Sequence, residues 1–217
     1  REFTQASAAC DALVKAHPDH PKHLETRAAA ALGLAAVHRA EGAEAEELAA
    51  LSRAADDYQR LSRCLPDVPT FRENVALTWT DMALLLRQQG KNREAESQAR
   101  HALPIFVDLA ASYPEVARHR EERAACHDAI GQAQGELDRH GESRESLQAA
   151  VELYRRLTAE FREPQYRERL GVCLSHLGQT HERLGDVEKA LESYRSAAEL
   201  LDGLQSAAPE FPSYRNA

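Results

Sequence analysis

The amino-acid sequence predicts an all-α repeat fold, an α-solenoid of antiparallel helix pairs with a unit of 47–48 residues. Three observations predict it. A proline-centred punctuation recurs at a fixed interval, the segments between carry apolar residues at steps of three and four, and no segment alternates with the period of two that a half-buried strand needs.

The punctuation comes first, because a missed repeat misassigns the whole fold. His17-Pro18-Asp19, Leu65-Pro66-Asp67, Tyr113-Pro114-Glu115 and Ala208-Pro209-Glu210 are copies of one another, with Phe161-Arg162-Glu163 as a copy lacking its proline; successive copies lie 48, 48, 48 and 47 residues apart. A second proline follows at Pro21, Pro69, Pro164 and Pro212, with Ala117 in the remaining copy. An aromatic-basic pair comes next at Phe71-Arg72, Tyr166-Arg167 and Tyr214-Arg215, with His119-Arg120 as a near copy. The register holds in the middle of the units. Ala54, Ala102, Ala150 and Ala197 align, as do Tyr58, Phe106, Tyr154 and Leu201, and Leu61, Leu109, Leu157 and Leu204. Leu34, Met82, Ile130 and Leu177 precede the small residues Ala35, Ala83, Gly131 and Gly178, and Gly42, Gly90 and Gly185 mark a common turn at which the third copy has Asp138.

Each unit reads as two helices of about 20 residues, roughly 30 Å each. In the second unit Phe71, Val75, Trp79, Met82, Leu85 and Leu86 form one apolar stripe. Gly90 ends that helix, and Asn92 is the expected cap of the next. The inner face of that next helix is Ala95, Ala99, Ala102, Phe106 and Leu109, and it stops before Pro114 because a residue ahead of proline is driven out of the α region. In order, residues 1–18 supply the second helix of a truncated unit. Four units occupy 19–66, 67–114, 115–162 and 163–209, and 210–217 begin another. The small residues let paired backbones approach, and stacked neighbours close the core that no single pair can bury.

Composition bounds what such a stack can do. With 27 basic against 35 acidic residues the formal charge is −8, which argues against nucleic acid or an anionic membrane surface as the partner. The longest uninterrupted apolar stretch, Ala28 to Val37, is about half of what a bilayer crossing needs. Cys10, Cys64, Cys126 and Cys173 are far apart, with no spacing that suggests a disulfide framework or a zinc cage, so a reducing, cytoplasmic setting is expected. The first residue is not Met and falls inside a helix, which predicts a piece of a longer protein.

The run Leu177-Gly178, His181, Gly185, Ala190, Tyr194, Ala197 resembles the signature of the tetratricopeptide repeat (TPR), in which large, small, aromatic, Gly, Ala, aromatic and Ala positions recur at these offsets. The second unit keeps Ala83, Gly90, Ala95, Ala99 and Ala102. The resemblance implies a right-handed superhelix of helix pairs, lengthened here by one to two turns per helix. It also implies a non-catalytic interaction scaffold. Long-unit arrays of this kind are often carried by bacterial proteins C-terminal to a serine/threonine kinase domain, so a regulatory or sensory region of such a kinase is one alternative reading, and a self-associating spacer array is another.

The reactive side chains form no centre that their spacing would define. His17, His20 and His23 fall at i, i+3 and i+6, but Pro18 and Pro21 place them in an inter-unit turn, and no metal site is expected there. Cys126 and Cys173 are repeat equivalents, which marks them as small core residues rather than nucleophiles. Cys126 and His127 are adjacent and point to different sides of a helix, unsuited to proton transfer. His38 and His181 share a column with Leu86 and Gln134 and read as packing residues. Asp56-Asp57, Glu46-Glu47 and Glu121-Glu122 are spaced as solvated faces, and no phosphate loop, H-E-x-x-H, G-x-S-x-G or kinase catalytic loop occurs. No catalytic residue, cofactor or metal is expected in these 217 residues.

Function is then expected from surface. In the TPR family the first helix of each unit lines the concave face. By that resemblance the inward positions are Ala36, Arg39, Thr80, Leu84, Arg87, Gln88, Asp128, Gln132, Glu136, Ser175, Gln179, Glu182 and Arg183. The family's chaperone-tail binders clamp a peptide carboxylate with Lys and Asn on this face. No Asn stands here, so a cochaperone role is not expected. The expected partner is a protein or peptide, with end-to-end self-association through the cut ends as a further expectation.

Overall fold

Proline at the first helical position, replaced by Ala117 in the third copy, and a left-handed residue just past the helix end set the boundaries of the first helix of each pair. The computed structural model describes residues 2–18 and 20–207, with side chains placed for 9–18 and 20–203. Among them are nine α-helices and no strand: α1 Glu2–Ala16, α2 Pro21–Glu41, α3 Glu44–Cys64, α4 Pro69–Gln88, α5 Asn92–Ser112, α6 Ala117–Glu136, α7 His140–Glu160, α8 Pro164–Arg183 and α9 Val187–Ala207. The first helices of the pairs start 48, 48 and 47 residues apart, at Pro21, Pro69, Ala117 and Pro164. Pro209, Pro212, Tyr214, Arg215 and the expected start of a further unit at 210–217 lie outside the described residues, as does the side chain of Leu204.

Pro21, Pro69 and Pro164 are each the opening residue of a helix, where the missing N–H costs nothing and the fixed φ is already helical. At the other end Gly42, Gly90 and Gly185 have φ of 69°, 72° and 78°, and Asp138 takes the same left-handed conformation at φ 58°. These four residues donate to the carbonyls of Arg39, Arg87, Glu182 and Gly135. The residues after them donate to His38, Leu86, His181 and Gln134, closing the helix end with the 6→1 bond of a Schellman turn. Asn92 does not cap α5. It is the first residue of that helix, the carbonyl of Lys91 accepts from the N–H of Ala95, and the side-chain oxygen of Asn92 is buried without a partner. The Schellman turn at Gly90 is tight enough to start the next helix one residue earlier than the expected cap would allow. Pro104 lies inside α5, with its ring exposed. The helix runs through it because Ala99, Ala102, Phe106 and Leu109 are buried on the opposite side and offset a backbone cost of about 3 kcal/mol.

The chain divides into two compact bodies, Arg1–Leu109 and Ala110–Ala217. In the first, α2 and α3 run antiparallel. Arg39 at the end of α2 reaches Glu47 at the start of α3 (2.6 Å), and Arg27 near the start of α2 reaches Asp57 near the end of α3 (2.8 and 2.6 Å). Asp57 does not share the solvated face expected for the Asp56-Asp57 pair. It is 1% exposed, and the bidentate bond from Arg27 is what makes its burial tolerable. Leu24, Ala28, Ala54, Tyr58, Leu61, Phe71 and Val75 form one core cluster, joining the aromatic column of one pair to the first helix of the next.

In the second body the small-residue column shows its use. A Cβ on Gly131 would lie 2.6 Å from Leu147 Cγ, and one on Gly178 would lie 2.7 Å from the Tyr194 ring. Tyr154, Leu157, Tyr166, Leu170, Cys173 and Leu174 bury one another, each large side chain contributing roughly 1.5–3 kcal/mol. The Ala column is fully buried at Ala54, Ala102 and Ala150, and nearly so at Ala197.

Candidate functional site

Position on the 3.6-residue repeat places Thr80, Leu84, Arg87 and Gln88 along one side of α4, with Ala36 and Arg39 at the matching positions of α2. Leu84 is 48% exposed, as large an unpacked aliphatic side chain as α4 carries. Thr80 turns its hydroxyl inward, donating to the carbonyls of Ala76 and Leu77, and so offers its methyl group rather than a hydrogen bond. Arg87 is half-buried and Gln88 exposed. Arg39 is exposed but held at its Nε by Glu47.

That glutamate corrects the expectation that Glu46-Glu47 is a solvated pair. Glu47 occupies the column of Ala95, Ser143 and Ala190 and is buried as they are, at 3%. A carboxylate in a column of small residues was the available signal. Beside it lies Asp81, whose carboxyl is pushed upward by burial and further by Glu47, with Arg39 pulling the other way. This face of the first body therefore carries a buried and a half-buried carboxyl group around one guanidinium, next to an open leucine.

In the second body two of the expected residues, Asp128 and Gln132, are tied to each other. Asp128 accepts a hydrogen bond from Gln132 Nε2 at 2.8 Å and lies within hydrogen-bond distance, 2.9 Å, of His176 Nδ1. Ser175 donates to the carbonyl of Gly171, and Glu182 accepts from the Tyr194 hydroxyl at 3.1 Å. Glu136, Gln179 and Arg183 are exposed. His176, one position beyond Ser175, was not expected on this face; its partner is 48 residues away, out of reach of any local pattern.

No assembled nucleophile emerges among the described residues. Burial pushes the Cys126 thiol up to about 12, helped by Glu122, and burial with Asp128 pushes the Cys173 thiol up as well. His127, desolvated and beside Arg123, is lowered. A protonated thiol beside a neutral imidazole on a different side of the helix cannot exchange a proton usefully. His20 and His23 stack with ring centroids 4.1 Å apart, and His17 lies 5.9 Å from His23. Stacked rings turn their nitrogens sideways, and among the described residues no group of three or more His, Cys, Asp or Glu side chains is disposed to hold a metal.

Antiparallel helix pairs with small-residue contacts and a polar first-helix face define the class as a helical-repeat protein. Residues 173–200, the second half of α8 and most of α9, match the family model described as tetratricopeptide repeat. Among solved structures, the apo form of RapI aligns with TM-score 0.64 at 15% identity, over 82% of this chain and 57% of that one. A structure of nearly identical TPR-like repeats from Podosopora anserina aligns with TM-score 0.60 at 16% identity, over 94% and 89% of the two chains. BtubC from P. vanneervenii aligns with TM-score 0.53 at 15% identity, over 97% and 91%. The chain thus spans little more than half the length of RapI. At these identities the likeness is one of fold, and the fold is TPR-like. No curated protein matches the sequence. No described helix is long and apolar enough to cross a membrane.

Proposed function

We propose that this chain is a non-catalytic interaction scaffold that takes an extended or helical peptide of a partner protein on its first-helix faces. The observation that carries the reading is Leu84, 48% exposed one turn before Arg87 and Gln88, where a partner's apolar side chain would remove it from water. In the first body Arg39, Arg87 and Gln88 would make the contacts; in the second, taken by itself, Gln132 and Gln179 would. Asp128, Glu136, Ser175, Glu182, Arg183 and Thr80 would shape the surface around them. The free thiols of Cys10, Cys64, Cys126 and Cys173 fit a reducing, cytoplasmic setting.

The test is affinity capture with the chain and with the variant combining Arg87→Glu and Gln88→Ala, both checked for unchanged helicity and melting. A partner retained by the parent and lost by the variant supports the reading; identical partners on both refute it.

A further inference from the structure

A second recognition feature lies in the first body, among α3, α4 and α5. A pocket of about 320 Å³ there is lined chiefly by Asp56, Gln59, Trp79, Met82, Gln98 and His101. Trp79 is the chain's one tryptophan and is half-buried, although the apolar periodicity of α4 assigns it to the core stripe. Its column elsewhere holds the buried Ala31 and Leu174 and the half-buried His127. The His101 ring covers one part of the indole, with centroids 5.4 Å apart, and the rest borders the opening.

The polar groups around this indole have no work inside the protein. Among the described residues, the side chains of Asp56, Gln59 and Gln98 make no hydrogen bond or ion pair. Asp56 and Gln59 also border a neighbouring cleft that contains Arg27, Arg53, Arg60 and Arg63. Three arginines of that cleft are engaged elsewhere. Arg53 reaches Asp11 at 3.7 Å, Arg60 donates to the carbonyl of Pro18, and Arg27 is held by Asp57. This distribution decides between an anion in the arginine cleft and a cation in the indole pocket. Three of the four arginines already have acceptors, whereas the pocket's one carboxylate has no cation.

We infer that the pocket accepts a lysine or arginine side chain presented by a partner polypeptide. The aliphatic stem would lie along Trp79 and Met82, and the charged head would meet the Asp56 carboxylate and the carboxamide oxygens of Gln59 and Gln98. A ring face, a carboxylate and acceptor oxygens around an apolar floor are the complement of a long amphipathic cation. A neutral chain of the same length gains the floor but leaves Asp56 unpaired. This site is independent of the reading built on Leu84 and Arg87.

Because Trp79 is alone of its kind, its fluorescence and its indole N–H resonance report on the pocket directly. The full 217-residue chain is titrated with N-acetyl-lysine methylamide, with the norleucine analogue, and with a lysine-centred pentapeptide. The expected result is a saturable shift for lysine that is about tenfold weaker for norleucine and about tenfold weaker for lysine on Asp56→Asn. The pentapeptide should bind more tightly than the single residue, and the variant carrying Arg87→Glu and Gln88→Ala should titrate as the parent does. Equal shifts with lysine and norleucine, an unchanged titration on Asp56→Asn, or no movement of the indole signal would overturn the assignment. A pentapeptide no tighter than the free amide would overturn the polypeptide source.

Discussion

Replacing Gly131 with alanine sets two calculable effects against each other. In the interior of a helix alanine is favoured over glycine by about 1 kcal/mol, so the substitution alone would stabilise α6. At Gly131 the new methyl carbon would sit 2.6 Å from Leu147 Cγ and 3.2 Å from the Leu147 backbone nitrogen. The side-chain contact could relax by rotation, but the backbone contact requires α7 to move away from α6, and overpacking of that kind costs about 1–3 kcal/mol. The sum is a loss of about 0–2 kcal/mol, against the gain expected at an unobstructed site. The control lies one turn further along the same helix. A Cβ on Gly135 meets only Ser143 Oγ, at an ordinary 3.4 Å, so Gly135→Ala should gain up to about 1 kcal/mol. Urea denaturation followed by far-ultraviolet circular dichroism measures both. A Gly131→Ala protein as stable as Gly135→Ala would show that the α6–α7 approach does not depend on the missing side chain.

Three further outcomes follow from the same structure. Asp138 holds φ 58° at a helix end where the other copies have glycine, so Asp138→Gly should raise stability by about 0.5–1 kcal/mol, read from the same denaturation curves. Under native conditions a thiol reagent should modify the exposed Cys64 promptly and leave the buried Cys126 and Cys173, whose thiols are held protonated, until urea is added; mass spectrometry of the labelled peptides locates the sites. Burial holds the imidazoles of His181, His127 and His23 below the ordinary histidine value of 6.5, so the unfolded chain takes up protons first and stability should fall as pH drops below that value. Replacing His181 with glutamine, the residue its column has at Gln134, should make the fall shallower in a melting-temperature series against pH.

Much of the helix architecture was legible in the sequence because it is a matter of local spacing. Proline fixes a start, a left-handed residue fixes an end, and residues three and four apart share a side. The columns of Ala54, Tyr58 and Leu61 and their copies therefore announce which side is buried. Asp138 could be assigned to the turn with no glycine present, since its register alone required it there. The candidate site was less legible. Leu84 and Gln88 could be placed on a face by period. Glu47 was marked only by its column of small residues, and the roles of Asp81 and His176 were not marked at all, because their partners lie on other helices, 48 residues away for His176.

What the sequence alone determined is the repeating two-helix unit, its length and the apolar side of each helix, since these depend on steric and hydrophobic preferences acting within a few residues. What the tertiary structure decided is the fate of the polar side chains: Glu47 buried against Arg39, Asp128 shared by Gln132 and His176, Asp56 lining the same pocket as Trp79. Such pairings depend on distances and rotamers across separate helices. A charged residue carries no local mark of whether its counter-charge will arrive.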